Sequence, residues 1–115
     1  MIMIRKPVRD ENGSTRFQPG DLVRHRRYGY RGVVVEADTH CQASQAWYGN
    51  NQTQPSREQA WYHVLVHGSH QSTYAADSSL EADTSQESIS HPLLGMYFES
   101  FLAGVYQRND REWGV

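Results

Sequence analysis

The stretch Asp21–Asp38, DLVRHRRYGYRGVVVEAD, constrains this chain more than any other. Leu22–Val23 opens as a strand and runs into Arg24, His25, Arg26 and Arg27. Tyr28–Gly29–Tyr30–Arg31–Gly32 then turns the chain back into Val33–Val34–Val35. Glycine gives the backbone freedom a tight reversal needs, and consecutive valines favour a pleated strand. The pattern predicts a β-hairpin with Val33, Val35 and Ala37 on its core face and Val34, Glu36 and Asp38 on the other. One or two charges at such a turn would only keep a sheet edge soluble. Four arginines and a histidine interleaved with two tyrosines point instead to a working surface.

The second strand is Ala60–His67, AWYHVLVH, rich in aromatic and branched residues. Gly68–Ser69 begins a turn, and Ser72–Ala76 reads as a strand pairing back. Between the two hairpins lies Thr39–Gln59, polar and centred on Gly49–Ser56. A connection this long without structure marks a functional or mobile segment, and Gln42–Gln59 is expected to be the most mobile internal part. Trp47–Tyr48 within it is expected to fold back onto the core. Ser90–His91–Pro92 has the form of a helix start, with Ser90 as cap. Leu93, Leu94, Tyr97, Phe98, Phe101 and Leu102 would then form one apolar stripe, a packing face rather than a ligand box. The tail from Ala103 onward is ambiguous, with Tyr106 and Trp113 as candidate anchors.

At 115 residues the chain suits one domain with a modest core. We divide it into a flexible arm over 1–16, a domain over 17–108 and a tail over 109–115. The net charge of −2 hides an asymmetry. Residues 1–31 carry eight Lys/Arg against three acids, which is +5, and residues 32–115 carry three against ten, which is −7. A basic patch on an acidic body is not the profile of a general DNA coat. The apolar start Met1–Ile4 stops at Arg5–Lys6–Pro7, unlike a signal peptide, and no run is long enough to span a bilayer. The single Cys41 excludes an internal disulfide and fits a reducing cytoplasm.

Catalytic signatures are missing: there is no P-loop, G-x-G-x-x-G, G-x-S-x-G or H-E-x-x-H. The six histidines lack zinc spacing, and His63 and His67 would sit roughly 13 Å apart along a strand, too far to share one ion. The chain therefore reads as a non-enzymatic binding protein without metal or cofactor.

The blocks FQPGDLVRHRRYGYRGVVVEAD, AWYHVLV, STYAADSSL and HPLLGMYF, in this order, resemble the YccV/HspQ family of hemimethylated-DNA-binding domains. The likeness covers roughly residues 17–106. It implies a mainly β fold, a small SH3-like β-barrel with a short C-terminal helix, with Val33, Val35, Val64 and Leu80 inside. It also implies a cytoplasmic protein that binds hemimethylated DNA, and a heat-shock role as adaptor or specificity factor for an ATP-dependent protease. A homo-oligomer is implied too, with a trimer the first expectation. The residues expected to meet DNA or a partner are Arg24, His25, Arg26, Arg27, Tyr28, Tyr30 and Arg31. Guanidinium groups suit phosphate and the guanine edge, and tyrosine can stack on sugar or base. His25, once protonated below about pH 6.5, would add to the patch. The chain departs from the family pattern at Ala60, where proline is usual, and in the Asn/Gln-rich middle of its long loop.

Overall fold

The computed structural model describes residues 15–51 and 53–109, and within them the architecture is mainly β. The arginine-rich stretch forms the expected hairpin. Strand β1 (Leu22–His25) pairs antiparallel with β2 (Arg31–Asp38), with Leu22 opposite Val33 and Arg24 opposite Arg31. Strand β3 (Trp61–Val66) pairs with β2, and β4 (Ser72–Ala76) pairs with β3. A single 3₁₀ turn, Asp77–Ser79, leads into the short β5 (Leu80–Ala82), which lies against β1. The sheet order is β4-β3-β2-β1-β5.

That order has a geometric consequence. The two edge strands of a flat five-stranded sheet would be about 19 Å apart at normal strand spacing. A 3₁₀ turn rises only about 2 Å per residue, so the link from Ala76 to Leu80 forces the sheet to curl until its edges approach. β4 and β5 nevertheless form no ladder, so the sheet stays open along this seam. The expectation of a mainly β fold is met, but among the described residues the sheet does not close into a barrel.

Both faces of the curled sheet are covered. The inner face buries Phe17, Val23, Val34, Tyr62, Val64, Ala75 and Leu80. The outer face buries Leu22, Val33, Val35 and Leu65 beneath Ile89, Phe98 and Tyr106. A bulge in β2 interrupts simple alternation: Val34 faces Val64, but the next partner, His63, faces Glu36. The extra residue turns Ala37 to the inner side with Val34, away from Val33 and Val35. Val33 and Val35 are thus buried as expected, but in the outer cluster rather than with Val64 and Leu80.

The expected C-terminal helix is a single turn, α2 (Leu94–Tyr97), and Ser90 does not cap it. Instead the Leu93 amide donates to His91 Nδ1 (3.1 Å). The apolar stripe then continues as strand β6 (Phe98–Leu102), paired with β7 (Val105–Arg108) through a turn with Ala103 and Gly104 at positive φ. This second hairpin is fastened through Gly20: the Tyr106 amide donates to Gly20 O (2.9 Å), and the Gly20 amide donates to Val34 O (2.8 Å). Tyr106 is the anchor anticipated in the tail, whereas Trp113 lies outside the described residues. Most of the N-terminal arm also lies outside them. Its end is held, because Arg16 donates to Asp77 O and Leu80 O (both 2.9 Å).

The long connection is not structureless either. It contains helix α1 (Gln45–Gly49), whose first turn is capped by Ser44 Oγ accepting from the Trp47 amide (3.1 Å). Trp47 and Tyr48 fold back edge-on to Trp61, with ring centroids 6.1 and 6.3 Å away. Among the described residues no helix is long and apolar enough to cross a membrane.

Candidate functional site

The β1–β2 turn is built around His25 rather than around its arginines. His25 is buried, and its Nδ1 accepts hydrogen bonds from the Arg27 and Tyr28 amides (both 3.1 Å). The backbone closes around it through Gly29 N to His25 O and His25 N to Tyr30 O (both 2.9 Å). The Tyr28 ring stacks on the imidazole at 4.6 Å, and the Tyr30 ring lies at 5.0 Å. Burial, and then the Arg27 charge, lower the His25 pKa. An imidazolium carries a proton on both ring nitrogens, so it could not accept the two amide bonds. Acid therefore opposes this turn instead of strengthening it, which reverses the sequence expectation for His25.

The arginines divide into two groups. Arg31 is largely buried, and its Nε donates to Asp83 Oδ2 (2.6 Å) while its Nη2 donates to Ser85 Oγ (3.1 Å) and Glu87 O. It thereby holds the 83–87 loop. Arg24 lies 3.9 Å from the other oxygen of Asp83. The buried Asp83 carboxylate thus compensates Arg31, while Arg24 lies at the limit of its reach and keeps a partly exposed side chain. Burial alone would raise the Asp83 pKa, but Arg31 and the Ser85 amide and hydroxyl hold it below the usual value. Arg26 and Arg27 are exposed. Among the described residues, the Arg26 side chain makes only a solvent-exposed contact to Glu81 (3.4 Å), a kind of pair that contributes little. Arg27 leans over the ring of Tyr28, itself half exposed.

Beside the turn lies a groove of about 640 Å³. Its floor is β4, Ser72 to Ala76. His25, Tyr28 and Tyr30 line it from the turn, and Trp47, Asn51, Thr53 and Pro55 from the long loop. Tyr30 and Thr73 share a hydroxyl–hydroxyl bond (2.8 Å). Tyr74 is fixed more tightly: its hydroxyl donates to Asp38 (2.6 Å) and accepts from the Gln42 amide (2.9 Å). Its ring packs against His63 at 4.4 Å and Trp47 at 5.7 Å. Burial, followed by the Asp38 carboxylate, pushes the Tyr74 pKa up, so the phenol stays neutral.

Of the residues singled out from sequence, Arg26, Arg27 and Tyr28 share the exposed tip, while Tyr30 and His25 shape the groove wall. Arg24 stands at the edge of this group, and Arg31 is committed to the fold. The aromatic contribution of Trp47, Trp61, His63 and Tyr74 was missed, although the Trp47–Tyr48 pair in a polar loop was its visible signal.

The sequence is 33% identical over 96 residues to F-box only protein 21 from Homo sapiens, Mus musculus and Pongo abelii, a stretch covering 81% of this chain. The chain spans 15% of the length of those relatives. A family model described as hemimethylated DNA-binding protein, YccV-like, matches residues 15–105, and the chain belongs to that family.

Proposed function

We propose that this domain binds duplex DNA, with preference for hemimethylated sites, through the tip of the β1–β2 turn. The observation that carries the reading is the cluster of Arg26, Arg27 and Tyr28, exposed together at the mouth of an aromatic groove in a YccV-like domain. Arg26 and Arg27 contact phosphates, Tyr28 packs on sugar or base, and Arg24 and Arg31 serve mainly to present the turn. With Arg31 committed to Asp83 and a net charge of −2 on the chain, the affinity for bulk DNA is modest and strongly salt-dependent. The curled, unclosed sheet is the SH3-like scaffold of this reading, with the domain over 17–108 acting in the cytoplasm.

The test is a salt-titrated binding assay with unmethylated, hemimethylated and fully methylated duplexes of one sequence. Tightest binding to the hemimethylated duplex is expected. Equal affinity for all three, or no binding at low salt, would overturn the proposal.

A second reading, an adaptor or specificity factor for an ATP-dependent protease with a heat-shock role, draws on a different surface. Leu93, Met96 and Leu102 are exposed around the C-terminal hairpin, on a body whose residues 32–115 carry a charge of −7. Exposed apolar side chains of this kind suit a protein partner or a homo-oligomer, a trimer being the form to test first, better than they suit DNA.

A further inference from the structure

The groove beside the arginine turn follows the free edge of the sheet, and the pairing register shows which backbone groups face it. The Val66 amide donates to Gln71 O (3.0 Å) and the Asp77 amide to Ala60 O (2.8 Å). Between these two pairs the register runs without interruption from Leu65–Ser72 to Trp61–Ala76. Hydrogen-bonded pairs alternate along an antiparallel ladder, so Thr73 and Ala75 point their peptide groups at β3. Ser72 and Tyr74 point theirs outward, into the groove. Among the described residues, nothing bonds to those two amides and two carbonyls. Ala76 has the same orientation but is buried with Cys41 and Trp61.

Exposed sheet edges are usually blocked by lysine, proline or a bulge. β4 reads Ser-Thr-Tyr-Ala-Ala and pairs in unbroken register, so it carries none of these. Its edge is walled instead. Thr73 and Tyr74 project to opposite faces of the strand. Tyr30 is bonded to Thr73 on one side, and Trp47 packs on Tyr74 on the other. A second copy of the domain would bring the same walls to its own β4, so two such edges cannot meet. A single extended strand fits between them.

We propose that β4 accepts an extended peptide from a partner protein as an added antiparallel or parallel strand, a binding activity beyond DNA contact that would share Arg27 and Tyr28 of the turn tip with it. Main-chain bonds to Ser72 and Tyr74 would supply the anchor, and alternate side chains would supply selectivity. One set meets the ring of Tyr74 and the half-exposed Trp47, which suits large apolar residues. The other meets Tyr28 with Arg27 over its ring, which suits acidic residues. The partner segment is therefore an extended stretch that alternates apolar and acidic side chains.

A fluorescein-labelled heptapeptide alternating leucine and glutamate is the probe, used with two isomers N-methylated at alternate amides. Strand addition uses only one set of amides, so one isomer should lose binding by about tenfold or more and the other should bind like the parent. The amides of Ser72 and Tyr74 should become protected from hydrogen exchange when the peptide is added. Ser72→Pro removes one outward donor at a position where an edge strand tolerates proline, and it should weaken the peptide while leaving duplex DNA affinity unchanged. Equal binding of both isomers, no binding of the parent peptide, or binding without protection at Ser72 and Tyr74 would overturn the inference. So would protection that appears without peptide and grows with protein concentration, which would assign the edge to a second copy.

Discussion

Arg31 and Asp83 meet at 2.6 Å across the β1–β5 side of the sheet, and this contact decides what the arginine-rich turn can do. It takes the last of the four arginines out of the binding surface and uses it to fix the 83–87 loop. Removing either partner leaves a largely buried charge without its nearest counter-ion, so Arg31→Ala and Asp83→Ala should each cost about 3 kcal/mol. Because the folded Asp83 pKa is depressed, its contribution is complete above the unfolded carboxylate range and is lost as pH falls through the folded value. Urea unfolding of the wild type should thus weaken below about pH 4, and Asp83→Asn should flatten that part of the profile.

His25 gives a second pH dependence with the same sign at a higher pH. Its folded pKa lies below the unfolded value, so the unfolded chain takes up the proton first. Stability is complete above about pH 6.5 and declines as pH falls toward the folded value. His25→Asn keeps a short acceptor able to bond the two following amides, and it should remove this step while preserving the turn. NMR titration of the imidazole together with the Arg27 and Tyr28 amides checks both halves: amide shifts that ignore His25 protonation would disprove the link.

The hairpins were legible because β-branched runs and glycine turns are local signals, and the arginine cluster was legible as a cluster. What each arginine does was not. Asp83 is 52 residues from Arg31 in sequence, and it takes the pairing of β1 with both β2 and β5 to bring them together. The bulge after Val34 leaves no mark in a run of three valines, so the expected face of Ala37 was wrong. The apolar spacing of 93–102 fits a helix, yet tertiary pairing with Val105–Arg108 extends most of it as a strand. The groove was invisible for the same reason, since its walls come from residues 28–30 and 47–55, and its floor is β4.

Exposed and committed arginines should separate cleanly in binding experiments. Arg26→Ala with Arg27→Ala should leave thermal stability almost unchanged, because their only ion pair among the described residues is solvent-exposed. The slope of log affinity against log salt should fall by roughly 0.9 for every DNA phosphate that the variant no longer neutralises. Arg31→Ala should instead lower the melting temperature. Loss of folding in the double variant would return these residues to a structural role. Unchanged DNA affinity in a stable double variant would move the DNA-binding surface elsewhere.

Two glycines with the same backbone sign should respond differently to alanine. Gly29 (φ +77°) sits at the turn tip with open space where a Cβ would project. Gly29→Ala should cost only the left-handed strain, about 1 kcal/mol. Gly20 (φ +104°) lies where the second hairpin crosses the sheet, and a Cβ there would collide with the carbonyl of Tyr106. That carbonyl cannot retreat without breaking the Tyr106 amide bond to Gly20, which fastens the hairpin over Leu22, Val33 and Val35. Gly20→Ala combines strain with overlap and should cost about 3 kcal/mol or more. Denaturant midpoints measure the difference, and exchange at the Tyr106 amide locates it: the hairpin should open in Gly20→Ala while the β1–β2 ladder stays protected. Similar costs at the two positions would mean that the hairpin can slide to admit a methyl group.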